Sequence, residues 1–203
     1  MLDPTITEAL RAEGFAAVCG VDEAGRGPLC GPVVAAAVIL PAGWAPEGLD
    51  DSKKLSPKKR EKLYDEIIAH AVSYGIAEAS VEEIDALNIL EATLLAMRRA
   101  IAKLDPAPDF ALIDGNVDRD FPLPARAVVG GDAKVAEIAA ASILAKVTRD
   151  RMCLDLDAAY PEYGIAGHKG YGTKAHMDAL RKYGPAPIHR KQFIRFLDRE
   201  REG

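Results

Sequence analysis

With 203 residues, 49% of them apolar and 28% charged, the chain has the make-up of one globular domain, or one with a small appendage. This excludes a disordered chain, a coiled coil and a collagen-like repeat, and the longest apolar stretch, Val33 to Leu40, is far shorter than the about 20 residues that span a bilayer. A net charge of −5 argues against a generic nucleic-acid binder.

Residues 4–14 read as a short helix. The start, MLDPTITEAL, has no basic segment followed by an apolar one, so no signal peptide is expected. Ala16 to Val21 and Val33 to Leu40 read as buried strands, separated by GRGPLCGP, whose glycines and prolines forbid regular structure. Ser56-Pro57 is an N-cap followed by proline in the first turn, and Leu63, Ile67, Ile68 and Ala71 recur behind it at helical spacing. Val72 to Val81 reads as a strand. Asn88 opens a helix with Leu90, Leu94, Leu95 and Ile101 on one face, and Pro106 and Pro108 end that region.

Phe110 to Ile113 is a short strand running into Asp114-Gly115, and Ala125 to Val129 is another, ending at Gly130-Gly131-Asp132. A long helix is predicted over residues 134–160, its front half rich in small side chains that permit close packing. Beyond Pro161 the texture turns to Gly, His, Lys and Tyr, with a helix over residues 174–183. Strands mixed with helices up to about residue 145, then a smaller helical piece, make an α/β architecture. From Lys146 to Gly203 there are 12 basic and 8 acidic residues, so the basic charge gathers at the C-terminal end. That fits either an acidic site beside a basic docking surface or two differently solvated faces. Cys19, Cys30 and Cys153 are scattered with no Cys-x-x-Cys, so neither a disulfide framework nor a zinc site is expected, and a reducing cytoplasm is the simplest home.

Asp22, Asp114 and Asp132 stand at three predicted strand ends, with Glu23 beside the first. Neighbours on a strand point to opposite faces, so Glu23 must be re-aimed to join Asp22. Converging carboxylates repel one another unless a cation sits among them, and hard oxygen donors suit Mg²⁺ or Mn²⁺. Each aspartate taken alone is equally suited to cap a turn. Gly25-Arg26-Gly27 follows: glycines admit close approach of a ligand, successive N–H groups can form an anion nest, and arginine matches phosphate. A tight turn with a solvated arginine is the plainer alternative. The glycine spacing fits neither a dinucleotide fingerprint nor a Walker A loop.

Taken together, GVDEAGRGPLCGPVVAAAVIL (20–40), DSKKL (51–55), IDGN (113–116), GGD (130–132), IAAASILAKVTRDR (138–151), HKGYGT (168–173) and GP…HR (184–190) closely resemble bacterial ribonuclease HII, in that family's order and over nearly the whole chain. The resemblance implies a ribonuclease H-like fold: a mixed five-stranded sheet flanked by helices as a catalytic domain over residues 1–145, with a helical substrate-binding extension over residues 146–203. It implies an endonuclease that cuts the RNA strand of RNA–DNA hybrids and nicks DNA 5′ of embedded ribonucleotides, leaving 3′-hydroxyl and 5′-phosphate ends. Asp22, Glu23, Asp114 and Asp132 fall on the family's acidic positions, the first three usually counted as ligands of two Mg²⁺ or Mn²⁺ ions. Gly25, Arg26 and Gly27 match a motif that senses the ribose 2′-OH and holds phosphate, and Tyr171 matches a tyrosine stacking on the deoxyribose after the ribonucleotide. The 2′-OH is what distinguishes RNA from DNA at one position. Cys30 stands where alanine is frequent and Gln192 where serine is common.

Further candidates carry two readings each. Lys53, Lys54, Lys58, Lys59 and Arg60 suit phosphate contact or a solvated face. Ser142 and Lys146, four apart on the long helix, suit packing or the substrate backbone. His168, Lys169 and Lys174 flank Tyr171 as phosphate contacts; His189, Arg190 and Lys191 are either the same or a solvated terminal patch. His176 is expected to be structural and Trp44 a loop anchor. Only residues 1–21 precede Asp22, so the extra N-terminal domain of ribonuclease HIII is not expected, nor is a clamp-binding tail in the closing REREG. A monomer acting on hybrid duplexes is expected, with a non-catalytic hybrid-binding module or a small-ligand phosphate binder as competing classes.

Overall fold

In the computed structural model, which describes residues 2–198, the elements run α1 (Thr5–Ala12), β1 (Val18–Ala24), β2 (Val33–Ile39), α2 (Pro57–His70), β3 (Ser73–Ala79), α3 (Val81–Leu87), α4 (Ile89–Ile101), β4 (Phe110–Asp114), β5 (Ala125–Val128), α5 (Ala136–Ala159), α6 (Ile165–His168) and α7 (Lys174–Tyr183). The predicted absence of a tail concerns residues 199–203, outside the described residues. Among the described residues no helix is long and apolar enough to cross a membrane.

One mixed five-stranded sheet runs β3-β2-β1-β4-β5, as expected. The β1–β2 and β2–β3 pairs are antiparallel; β1–β4 and β4–β5 are parallel. Strand β2, VVAAAVI, is buried at every position because it lies between two strands with helices over both faces. Each of its Val and Ile side chains contributes about 1.5–3 kcal/mol of gross hydrophobic stabilisation. Cys19 and Val21 of β1 point to the face covered by α4, whereas Val18 and Ala24 point to the face holding α5.

The small-residue half of α5 has a visible consequence. Gly20 of β1 lies so close under α5 that a Cβ there would sit 2.1 Å from the Glu137 carbonyl carbon and 2.2 Å from the Ile138 nitrogen. Neither is a side chain that can swing aside. Gly20→Ala is therefore expected to cost about 3 kcal/mol or more, a fall of roughly 6–12 °C in Tm. A thermal melt beside Gly167→Ala, whose Cβ meets nothing within 4 Å, checks it. At the same level Glu137, buried, accepts from Thr7 Oγ1 at 3.0 Å and pairs with Arg11 at 3.7 Å, docking α1.

Two elements depart from expectation. Strand β1 runs on through Asp22, Glu23 and Ala24, paired throughout with β2, where a strand ending at Val21 was expected. The predicted strand over residues 72–81 stops at Ala79, and α3 begins at Val81. Ser80 and Glu83 form a capping box there, which ends the extended chain and starts the helix. Asn88, with φ of 78°, closes α3, and its side chain accepts from the Leu90 and Glu91 amides to start α4. Helix α5 crosses residue 145 unbroken, so its first half packs on the sheet while Cys153 and Leu156 pack in the C-terminal cluster with Tyr163, Leu180 and Ile188.

Candidate active site

The parallel register of β1 and β4 pairs Gly20 with Leu112 and Val21 with Ile113. One step further along, Asp22 and Asp114 come side by side on the face toward α5. Gly130, in left-handed backbone at φ of 64°, then turns the chain after β5 so that the amides of Gly131 and Asp132 donate to Asp114 Oδ1 at 2.7 and 3.3 Å. That wrap brings in the third carboxylate: oxygens of Asp22, Asp114 and Asp132 all lie within 4.8 Å of one another.

Glu23 follows the alternation rule. The strand does not re-aim it; it lies on the other face, beside Leu94 and Met97 of α4, and Arg26 pairs with it at 3.4 Å. It still lines the same cleft of about 270 Å³ as Asp22 and Asp114. The turn over 52–54 contributes Lys53, whose Nζ donates to Asp132 at 3.2 Å, and Ser52, whose Oγ accepts from Ser142 at 2.7 Å.

The electrostatics are those of an anionic hollow short of positive charge. Burial, then Glu23 and Asp114, pushes the Asp22 carboxyl well above its ordinary range. Burial, then Asp132, raises Asp114, and burial raises Glu23 despite Arg26. Burial draws the Lys53 ammonium down, but the hydrogen bond and charge of Asp132 hold it above its ordinary value. Closely set, desolvated oxygen donors with too little counter-charge match a hard divalent cation, so these residues fit one.

Gly25, Arg26, Gly27, Lys146 and Tyr171 line the same cleft. Tyr171 is half-exposed, and its ring lies against Gly27, where an added Cβ would sit 3.3 Å from Cε1. Lys146 Nζ is engaged by Asp150 at 2.6 Å. His168 and Lys169 are not among the cleft's lining residues. His168 donates from Nε2 to the Tyr163 carbonyl at 2.9 Å and accepts at Nδ1 from the Gly170 amide at 3.2 Å, while the Lys169 carbonyl accepts from Arg149. Arg60 bends back onto the Ser52 and Leu55 carbonyls and Lys54 pairs with Asp50, whereas Lys58 and Lys59 stay exposed. Lys174 pairs with Asp178, and Trp44 stacks on His70 as a loop anchor. Two arginines carry more than the sequence suggested: Arg149, buried and lining the cleft, and Arg190, wholly buried where a solvated patch or phosphate contact was expected. His189 is buried with it, and Lys191 is exposed.

A family model described as Ribonuclease HII matches residues 19–196. The chain belongs to the ribonuclease HII family. The ribonuclease HII of Burkholderia pseudomallei (strain K96243) is 60% identical over 176 residues, covering 87% of this chain and 82% of that protein. The crystal structure of ribonuclease H2 from Pyrococcus horikoshii OT3 superposes with a TM-score of 0.74 at 30% identity, covering 92% of this chain and 99% of that one. Bst-RNase HIII in complex with Mn²⁺ shares the fold, with a TM-score of 0.67 at 20% identity over 94% of this chain and 68% of that one. As a ribonuclease HII the chain is a metal-dependent ribonuclease H-type hydrolase and an endonuclease.

A second donor group, Cys30, His176 and His189, is also close-set and buried. Its chemistry differs from that of the ribonuclease HII cleft. Burial pushes the Cys30 thiol up to about 11, and the Arg149 and Arg190 guanidiniums touch the carbonyls of residues 30 and 31 beside it, so a cation is disfavoured there. The imidazoles instead bond each other, Nε2 to Nε2 at 3.1 Å. Burial holds His189 down at about 4, against an ordinary 6.5. Between those values the unfolded chain takes up a proton that the folded chain refuses, so this contribution to stability is intact above the ordinary value and declines as pH falls toward the folded one. Denaturant unfolding at pH steps across that window is expected to show a steeper loss for wild type than for His189→Gln.

Proposed function

We propose that this ribonuclease HII cuts the RNA strand of RNA–DNA hybrids and nicks duplex DNA on the 5′ side of an embedded ribonucleotide, leaving 3′-hydroxyl and 5′-phosphate ends, and so serves ribonucleotide removal from DNA. The observation that carries this is one cleft holding two kinds of group. Asp22 and Asp114 line it, with an oxygen of the buried Asp132 within 4.8 Å of theirs, and the Gly25–Gly27 loop meets the half-exposed Tyr171 ring on the wall beside them.

Each residue has a role suited to its place. Asp22, Asp114 and Asp132, with Glu23 from the opposite face, would hold Mg²⁺ or Mn²⁺, two ions in the reacting complex. The Bst-RNase HIII complex makes Mn²⁺ a reasonable first choice. A divalent cation here activates water and offsets charge at the leaving oxygen. Arg26 and Lys53 lie at the rim, where cations orient a phosphate backbone without reading sequence. Lys146 serves the same strand once Asp150 shares it. The backbone amides of the Gly-Arg-Gly loop hold the 2′-OH and its phosphate, and Tyr171 stacks on the next deoxyribose. Residues 1–145 are then the catalytic domain, and residues 146–203, net basic, the substrate-binding extension. The enzyme works as a monomer in the cytoplasm.

The test is a DNA duplex with one embedded ribonucleotide, incubated with Mn²⁺ or Mg²⁺, beside an all-DNA duplex and an EDTA control. One metal-dependent nick 5′ of the ribonucleotide is expected. Tight hybrid binding with no nick would leave a binding module in its place.

A further inference from the structure

We propose that Arg190, with the adjacent His189 and its partner His176, is a buried positioning device that sets the Gly25–Gly27 loop and the Tyr171 ring at the spacing needed to recognise a ribonucleotide; this rests on the junction recognition proposed above.

Arg190 is 0% exposed, and its five N–H donors are all used. Nε donates to Gly31 O at 2.9 Å, Nη1 to Arg26 O at 2.9 Å and Pro28 O at 2.8 Å, and Nη2 to Gly25 O at 2.7 Å and Pro32 O at 3.2 Å. Every partner is a backbone carbonyl of the loop; among the described residues no carboxylate hydrogen-bonds to it. A planar trans peptide points its C=O and N–H in opposite directions. Turning the Gly25 and Arg26 carbonyls inward onto Arg190 therefore turns the Arg26 and Gly27 amides outward, on the cleft side. Those are the donors an anion or a 2′-OH would meet. One guanidinium thus fixes the direction of the amides without touching a ligand.

His189, the preceding residue, reaches the other wall. The two imidazoles have one consistent neutral arrangement. His176 Nδ1 donates to the Tyr171 carbonyl at 3.0 Å, so its Nε2 accepts from His189 Nε2 at 3.1 Å, which leaves His189 Nδ1 to accept the Ala186 amide at 3.0 Å, with the Ala186 carbonyl 3.2 Å away as a contact that shares no proton. The backbone closes the frame: Arg190 N donates to Leu29 O at 2.9 Å, and Leu29 N to Gly170 O at 2.8 Å. Two consecutive side chains thus hold, from behind, the two elements that touch in front at Gly27 and Tyr171.

Stability alone does not explain this. Burying a guanidinium with no counter-ion is costly, and an apolar plug is the cheaper way to fill a loop. What five directed donors add is orientation.

The experiment compares wild type, Arg190→Lys and His176→Gln, each shown folded by circular dichroism and by a melt above the assay temperature. Equilibrium binding in EDTA is measured to a duplex with one ribonucleotide and to the same duplex in all-DNA form. Wild type is expected to prefer the ribonucleotide duplex. Both variants are expected to lose more affinity for the ribonucleotide duplex than for all-DNA, so that about tenfold or more of the preference is lost, with kcat/KM for nicking falling alongside. General softening would weaken both duplexes equally and would overturn the proposal, as would an undiminished preference in a folded variant. His176→Gln leaves the Arg190 bonds in place, so it decides the matter if Arg190→Lys does not fold. A wild type without preference removes the junction recognition itself, and that outcome is read from the wild-type arm alone.

Discussion

Asp22→Asn is expected to lower nicking by on the order of a thousandfold or more while the protein stays folded. The side chain sits where β1 and β4 run side by side, beside Asp114 and under Ser142, and is only 4% exposed. Its Oδ1 accepts the Glu23 amide at 2.6 Å, a bond that the asparagine carbonyl oxygen keeps. What is lost is one negative charge from a set that includes Asp114 and Asp132 within 4.8 Å. Burial and Glu23 already disfavour that charge, so without metal the amide is the easier group to bury. In EDTA the variant should therefore melt no lower than wild type, and added Mn²⁺ should raise its Tm less. Turnover with ordinary metal dependence would remove Asp22 from the catalytic set.

The carboxylates show what a sequence makes legible and what it hides. Asp114 and Asp132 were readable because each ends an apolar run with glycine beside it, and a turn there has few ways to go. Their meeting was not readable: it depends on the register of β1 against β4 and on the left-handed turn at Gly130. For Glu23, strand alternation already placed it opposite Asp22, and the fold keeps it there; what period alone could not supply was how far β1 continues, because pairing with β2 decides that. The five strands, α2, α5 and α7 followed from apolar runs, periodicity and caps, whereas the joining of those strands into one mixed sheet was implied by the family resemblance. Helix α3 was missed although Ser80 and Glu83 announce it, because the apolar spacing just before it favoured a strand. Arg190 is the clearest hidden case. In HRKQF it resembles any basic surface run, and only its placement beneath the glycine loop, 165 positions from Gly25, gives it five buried partners. Carbonyl groups belong to every residue, so no residue type in the loop marks it as an arginine's partner.

Tyr171→Ala is expected to reduce cleavage at an RNA–DNA junction far more than binding to a long hybrid. The ring is 48% exposed, lines the cleft and lies against Gly27, so its apolar surface is within reach of a sugar seated there. The backbone beneath is tightly held: Tyr171 N donates to His168 O at 3.0 Å, and its carbonyl accepts from Thr173 N at 2.8 Å and His176 Nδ1 at 3.0 Å. Removing the ring therefore empties one wall without moving the other. A sugar packed on the ring face buries apolar surface worth about 1–2 kcal/mol, or roughly five- to 30-fold. That loss should fall on kcat/KM for a single embedded ribonucleotide, where one sugar marks the cut. On a long hybrid, phosphate contacts repeat along the strand and carry most of the affinity. Tyr171→Phe, which keeps the stacking face, should behave as wild type. Equal losses in junction cleavage and hybrid binding for Tyr171→Ala, or a large loss for Tyr171→Phe, would show that the ring does not mark the junction by stacking.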